Sequence, residues 1–138
     1  MKLNPDNTAL LMIDMQMGFI SPDSCLCIKG AKGSIPACRK ALDVARESGI
    51  QVIHVRRHYA EDGSDVELVR RVLWEEGGKP LSDAWPESLA CPEELKPLEG
   101  EAVLLKPSFS AFFETDLHEH LKQQGVNSLI LTGTTTPN

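Results

Sequence analysis

Four short apolar runs punctuate the chain, separated by polar stretches whose apolar positions recur at helical spacing. The first, residues 8–14 (TALLMID), is continuously apolar and ends in an acid, the pattern of a strand buried on both faces. Residues 51–55 (QVIHV) predict a second strand, residues 102–105 a third that ends at Lys106, and residues 128–131 a fourth. Between the first two, Ser34 is placed to cap a helix that carries Cys38, Leu42 and Ala45 on one face and stops at Gly49. Ser64 and Glu67 make an S-x-x-E capping box ahead of Val66, Val69 and Leu73. Thr115 caps a helix with Leu117 and Leu121 on one side, closed by Gly125. Residues 77–100 break the alternation with four prolines and no clear period, which predicts a long functional loop.

Strand and helix in alternation define an α/β fold with a mostly parallel sheet and right-handed crossovers. Ligands of such sheets sit outside the carboxyl ends of the strands. The residues predicted there are Asp14 and Gln16, residues 54–58, Lys106, and the small-residue turn of residues 133–138. An acid and a lysine at two strand ends read equally as a structural ion pair or as chemistry, because a buried pair is a weak stabiliser. The turn adds a third element, since backbone N–H groups there can face a developing oxyanion. Base, cation and oxyanion site are three parts of a nucleophilic acyl-transfer centre, and the nucleophile is not among them.

Charge and cysteine usage narrow the partners. A formal net charge of -6, with no Lys/Arg cluster, disfavours nucleic acid and anionic membranes. The longest apolar run, residues 9–13, is too short to span a bilayer, and the reading is a cytoplasmic protein acting on a small molecule. Cys25 and Cys27 form C-x-C while Cys38 and Cys91 stand apart, so no zinc or redox pair is predicted and the thiols read as small hydrophobes. No metal or cofactor is expected. His54, inside a strand, reads as a hydrogen-bonded core histidine, and His118 and His120 as a solvated helix face. Arg57 and His58, near a strand end, are placed to touch substrate.

The runs LLMIDMQMGF, LLKPSFSAFFETDL and LILTGTTTPN together carry D-x-Q, K-x-x-x-S-A-F and T-G-x-x-T, in order and at suitable separation. On these motifs the whole chain from Leu3 to Asn138 resembles the isochorismatase-like cysteine hydrolase family. The resemblance implies a three-layer doubly wound parallel sheet, of which residues 1–138 form a single domain that covers about the first four strands and is incomplete at its C-terminus. It implies a catalytic cysteine at the position after Asn138, Asp14 as general base toward that thiol, and Lys106 as the cation that stabilises thiolate and carboxylate. It also implies a cis bond between Thr134 and Thr135, with the Thr135 N–H in the oxyanion hole. Gln16, Phe19, His58, Trp85 and Phe112 are the substrate-binding candidates, and Phe109 shares the lean of Phe112 toward the pocket.

The GTTT run is most similar to the N-carbamoylsarcosine amidase branch, which implies C–N hydrolysis of a small amide or N-carbamoyl compound through a thioester. Nicotinamidases of this family bind a metal through an aspartate and histidines near the second strand. Here VIHVRRHY has His54 and His58 without the aspartate. Vinyl ether hydrolysis of the isochorismatase type, or a non-catalytic binding or assembly module, stand as alternatives. Homo-oligomers built through sheet-flanking helices are a further implication.

Overall fold

The computed structural model describes residues 3–135. After a 3-10 turn at Pro5–Asn7 come β1 (Thr8–Ile13), α1 (Met17–Ile20), α2 (Ala31–Glu47), β2 (Gln51–Arg57), α3 (Arg71–Glu76) and α4 (Pro86–Leu89). A second 3-10 turn at Glu93–Leu95 leads to β3 (Ala102–Lys106), α5 (Leu117–Gln123) and β4 (Ser128–Gly133). The four strands form one parallel sheet in the order β3-β2-β1-β4. This is the α/β sheet that alternation of strand and helix predicts.

Side chains alternate across each strand, and the two resulting sets pack on different helices. Leu10, Met12 and Val52 meet Cys38, Leu42 and Ala45 of α2 on one face. Ala9, Leu11, Ile53 and Val55 meet Leu117 and Leu121 of α5 on the other. The sheet is therefore the middle of three layers. A third cluster, Phe19, Leu26, Tyr59, Val66, Trp74 and Leu81, lies beyond the strand ends and supports the loops there. Among the described residues no helix is long and apolar enough to cross a membrane.

Helix starts differ from the sequence pattern in three places. α2 starts three residues before Ser34, from Gly30 at φ 92, and the Ser34 hydroxyl donates to the Ala31 carbonyl at 2.7 Å instead of capping. α3 starts at Arg71, so Ser64 and Glu67 form no capping box; the Glu67 carboxylate accepts from the Tyr59 hydroxyl at 2.6 Å. Only Val66 of that predicted stripe is buried, whereas Val69 and Leu73 are 85% and 52% exposed. α5 starts at Leu117 with Asp116 at its N-cap and no side-chain cap, so Thr115 does not cap it; its hydroxyl accepts from the Leu117 N–H at 3.3 Å in the turn just ahead of the helix. The 77–100 segment is ordered by α4 and by Leu81, which is fully buried and donates its N–H to the Ser88 hydroxyl.

A polar cluster fastens the amino-terminal half of the sheet to α2. Glu101 takes two hydrogen bonds from the Arg46 guanidinium, at 2.7 and 3.0 Å, one from the Leu98 N–H at 3.0 Å, and one from His54 Nε2 at 2.8 Å. Burial opposes the Glu101 charge, but the Arg46 fork, the Leu98 N–H and His54 outweigh it and bring the carboxyl down to about 2. Burial also lowers His54, against the pull of Glu101, so it serves as a core histidine that donates its N–H.

A depressed carboxyl contributes stability above its unfolded value of 4.5 that is lost as pH falls through about 2. Glu101→Gln is expected to cost about 2–3 kcal/mol at pH 7, because it strands the Arg46 charge. Urea melts should show the gap between wild type and variant closing from pH 4.5 toward 2; a gap independent of pH would contradict the ionic role.

Candidate active site

The carboxyl ends of all four strands open on one cleft. Its lining includes Asp14 after β1, Arg57 and Lys106 as the last residues of β2 and β3, and Thr134 and Thr135 after β4. Ile28, Phe19, Glu67, Arg70, Ser108 and Phe109 complete it, and their packing leaves about 10 Å³ of free space, room for about one water.

Asp14 is pinned by its backbone. It sits at φ 54, a left-handed conformation that aspartate tolerates better than most residues. Its N–H donates to the Val55 carbonyl at 2.9 Å, and its carbonyl accepts from the Gln16 N–H at 2.8 Å and from the Thr134 hydroxyl at 3.2 Å. The carboxylate pairs through Oδ2 with Lys106 Nζ at 2.8 Å, both side chains being buried. Its Oδ1 is buried with no hydrogen-bond partner among the described residues. Burial raises the Asp14 carboxyl above its ordinary value, and the Lys106, Arg70 and Arg57 charges offset this only in part. Lys106 is oriented by a second donation, to the Phe109 carbonyl at 2.8 Å.

The turn after β4 closes on β1. Gly133 lies at φ 117, and a Cβ there would collide with the Ile13 backbone. The Thr134 N–H donates to the Ile13 carbonyl at 3.0 Å, and the Thr134–Thr135 peptide bond is cis. The rest of the predicted turn, Thr136 to Asn138 and the position after it, lies outside the described residues.

A second charged group flanks the pair. Arg57, 2% exposed, donates to the carbonyls of His58, Asp65 and Lys106 and to the Asp65 carboxylate, with its guanidinium 4.0 Å from the Tyr59 ring centroid. Its Nε lies 3.7 Å from Glu67. Burial, followed by the bond to Glu67, pushes the Tyr59 hydroxyl up to about 12, so it stays protonated and donates.

Of the residues predicted for the site, Asp14, Lys106, Phe19, Thr134 and Thr135 come together in this cleft, as do Arg57 and Phe109. Gln16 does not line it. It is 1% exposed, and its amide clamps Arg57 by donating to the carbonyl at 2.9 Å and accepting from the N–H at 2.7 Å, with a further bond to the Leu89 carbonyl. Gln16 thus ties the end of β1 to that of β2 and to the 77–100 segment. His58 stands outside, paired with Asp83 at 3.1 Å, and Trp85 is half-buried at the start of α4. Phe112, 46% exposed, lines a different hollow beside α5 with Leu121 and Leu129. Glu67, Arg70, Ser108 and Ile28 are lining residues that the sequence pattern left unmarked. Their one signal is the charge pair three residues apart in ELVR, which helical spacing assigns to a solvated face.

The isochorismatase domain family model matches residues 8–138. A probable inactive nicotinamidase of Arabidopsis thaliana is 38% identical over 134 residues, covering 96% of this chain and 68% of that protein. Ureidoacrylate amidohydrolase RutB of Agrobacterium fabrum is 29% identical over 162 residues, covering 97% and 66% respectively. The crystal structure of an isochorismatase family protein from Desulfovibrio vulgaris matches with a TM-score of 0.88 at 39% identity, over 96% of this chain and 69% of that one. The chain spans about two thirds of the length of the proteins it matches.

Gly133 and Gly78 offer an internal comparison, since both have positive φ but only Gly133 faces backbone. Gly133→Ala is expected to cost about 3 kcal/mol or more, from steric overlap added to the backbone penalty, and to lower Tm by roughly 10 °C. Gly78→Ala should cost about 1 kcal/mol. Equal losses by thermal denaturation would show that the approach of Gly133 to Ile13 is not what requires glycine.

Proposed function

The chain belongs to the isochorismatase family, and on that premise we propose that its protein is an amidohydrolase that cleaves a C–N bond of a small amide or N-carbamoyl compound. The observation that carries the reading is the buried Asp14–Lys106 pair, which keeps one carboxylate oxygen occupied and the other without a partner among the described residues. A carboxylate held in that state, with burial raising its proton affinity, is suited to accept a proton from a nucleophile. The name of the Agrobacterium relative, an amidohydrolase, supports the same reaction class.

The nucleophile in this reading is the cysteine thiol that the resemblance sets directly after Asn138. Its proton passes to Asp14 Oδ1, and the thiolate attacks the carbonyl carbon to form a C–S bond. Lys106 balances the negative charge at both the thiolate and the carboxylate. The tetrahedral oxyanion accepts from the N–H groups of the turn, Thr135 among them. Collapse breaks the C–N bond, and the departing nitrogen takes the proton from Asp14. Water then gives a proton to Asp14 and adds to the thioester carbon; the C–S bond breaks, the carboxylic acid departs, and the proton returns to sulfur to restore the thiol.

The test is release of ammonia or amine from a panel of small amides and ureido compounds by the full-length protein. Asp14→Asn and Lys106→Met are each expected to lower kcat/KM by about 10³-fold or more. The rate should also fall on an acid limb centred above 3.8, because the raised Asp14 carboxyl must be ionised to accept the proton. Amide turnover that survives Asp14→Asn would sink this assignment. Turnover of a vinyl ether alone would move the protein to the isochorismatase reaction, and turnover of neither would favour the binding-module alternative.

A further inference from the structure

We propose that two copies of this chain pair through the outward face of the segment from Glu67 to Glu76, antiparallel about a two-fold axis, with Leu68, Val69, Val72 and Leu73 at the centre of the contact. This surface is distinct from the sheet-flanking helices α2 and α5, because α3 packs through Trp74 on the third hydrophobic cluster and not on either face of the sheet. It is independent of which reaction the cleft performs.

The segment is one hydrogen-bonded stretch that extends α3 at its start. The Arg70 and Arg71 N–H groups donate to the Glu67 carbonyl at 2.8 and 3.1 Å, that of Trp74 to Arg70 at 2.8 Å, and that of Gly77 to Leu73 at 2.9 Å. Helical spacing then sets Leu68, Val69, Val72 and Leu73 on one side and Glu67, Arg70 and Trp74 on the other. The polar side faces inward: Glu67 and Arg70 line the cleft, and between them the fully buried Trp74 donates its indole N–H to the Pro80 carbonyl at 2.7 Å. The apolar side faces out, with Leu68, Val69, Val72 and Leu73 exposed by 82%, 85%, 66% and 52%. A surface helix ordinarily shows the reverse. Together these four side chains present on the order of 400–500 Å² of apolar surface, the size of patch that marks an interaction site.

The order of charges along the segment selects a second copy as the occupant. Arg70 and Arg71 stand at its beginning, Glu75 and Glu76 at its end. Arg71, Glu75 and Glu76 form no ion pair among the described residues. Arg71 is folded along the strip, its Nη2 donating to the Ser64 and Val66 carbonyls at 3.4 Å. Arg71 and Glu75, one turn apart, flank the apolar strip on the same side. Antiparallel pairing about a two-fold axis therefore sets Arg71 of each copy beside Glu75 of the other, two complementary contacts per dimer. Parallel pairing sets like charge against like, and a partner of one sign matches only half of the strip. The strip and its charged rim, counted on both copies, amount to roughly 1,000 Å², the lower bound of a specific interface, so the dimer separates on dilution. Because Glu67 and Arg70 are the inner side of this same segment, pairing braces one wall of the cleft.

The test is sedimentation velocity of the full-length protein over a dilution series. Val69→Glu combined with Val72→Glu is expected to weaken the association about 100-fold or more, since it buries unpaired charge at the centre of the contact. Both positions are exposed, so Tm should stay within about 3 °C of wild type. Arg71→Glu and Glu75→Arg should each weaken association about tenfold, and the two in one chain should restore it, which a loss of folding would not do. Val72→Cys should form an interchain disulfide on mild oxidation, above any formed by wild type, whereas Val44→Cys on the exposed face of α2 should not. Association that survives the paired glutamates, or charge reversals that weaken it without mutual rescue, overturns the surface. A protein that stays monomeric at every concentration overturns it too; slow alkylation of Val72→Cys in that monomer would show that the chain's own continuation covers the face.

Discussion

β1 is hydrogen-bonded to a parallel neighbour on each side and buried on both faces, so its register is fixed twice over. Ile13 stands opposite Val55 in β2 and opposite Gly133 in β4, and one step further out Arg57 stands opposite Lys106. That alignment brings Asp14, Lys106 and Thr134 to one edge. A slip of one residue would exchange the faces of β1, moving Leu10 and Met12 from α2 to α5 and placing Ala9 and Leu11 against α2. The packing of two helices and the assembly of the cleft are thus enforced by the same hydrogen-bonded ladder. Gly133 belongs to that ladder too, because only a residue without a side chain lets β4 approach Ile13 so closely.

The charges gathered at this edge cost free energy that packing must offset. Burial disfavours the Asp14 anion, and Lys106 compensates only in part. A hydrocarbon pair of equal volume would serve the fold at least as well, so the pair is better explained by what a carboxylate can do than by stability. The contrast with Glu101 is instructive. Glu101 is saturated by Arg46, Leu98 and His54, and its carboxyl falls to about 2, the state of an acid that only holds structure together. Asp14 moves in the opposite direction and keeps an oxygen without a partner among the described residues. Two carboxylates in one domain, Asp14 buried and Glu101 half-buried, are separated by their hydrogen-bond saturation.

Legibility in the sequence followed the strength of the local signal. The four strands were readable because continuous apolar runs have few other uses, and Asp14 and Lys106 were readable because strand ends in parallel sheets are where ligands bind. The cap at Ser34 and the box at Ser64 misled for one reason. A serine or glutamate side chain forms whichever hydrogen bond the tertiary structure brings first, and Glu67 found Tyr59 before it found a helix end. Gln16 illustrates the limit of a motif: its position beside Asp14 was legible, while its role as a clamp on Arg57 depends on β2 arriving alongside. Arg70's one local signal, its spacing from Glu67, pointed to a solvated helix face. Its place in the cleft depends on how residues 58–70 fold over Phe19, Trp74 and Leu81, a contact set far apart in sequence.

This arrangement divides the cleft between two kinds of support. Asp14, Lys106 and Thr134 are held by strand ends, where the backbone ladders fix their positions. Glu67 and Arg70 come from the segment between β2 and α3, which the third hydrophobic cluster supports from beneath and which contributes no strand to the sheet. A change in that segment can alter what is recognised without moving the carboxylate and lysine, since the two sets share a cavity but not a backbone element. The chain's relatives carry names as different as nicotinamidase and ureidoacrylate amidohydrolase. A fold that keeps its carboxylate–lysine pair on the sheet and other cleft-lining groups on a connection has a direct physical route to such variety.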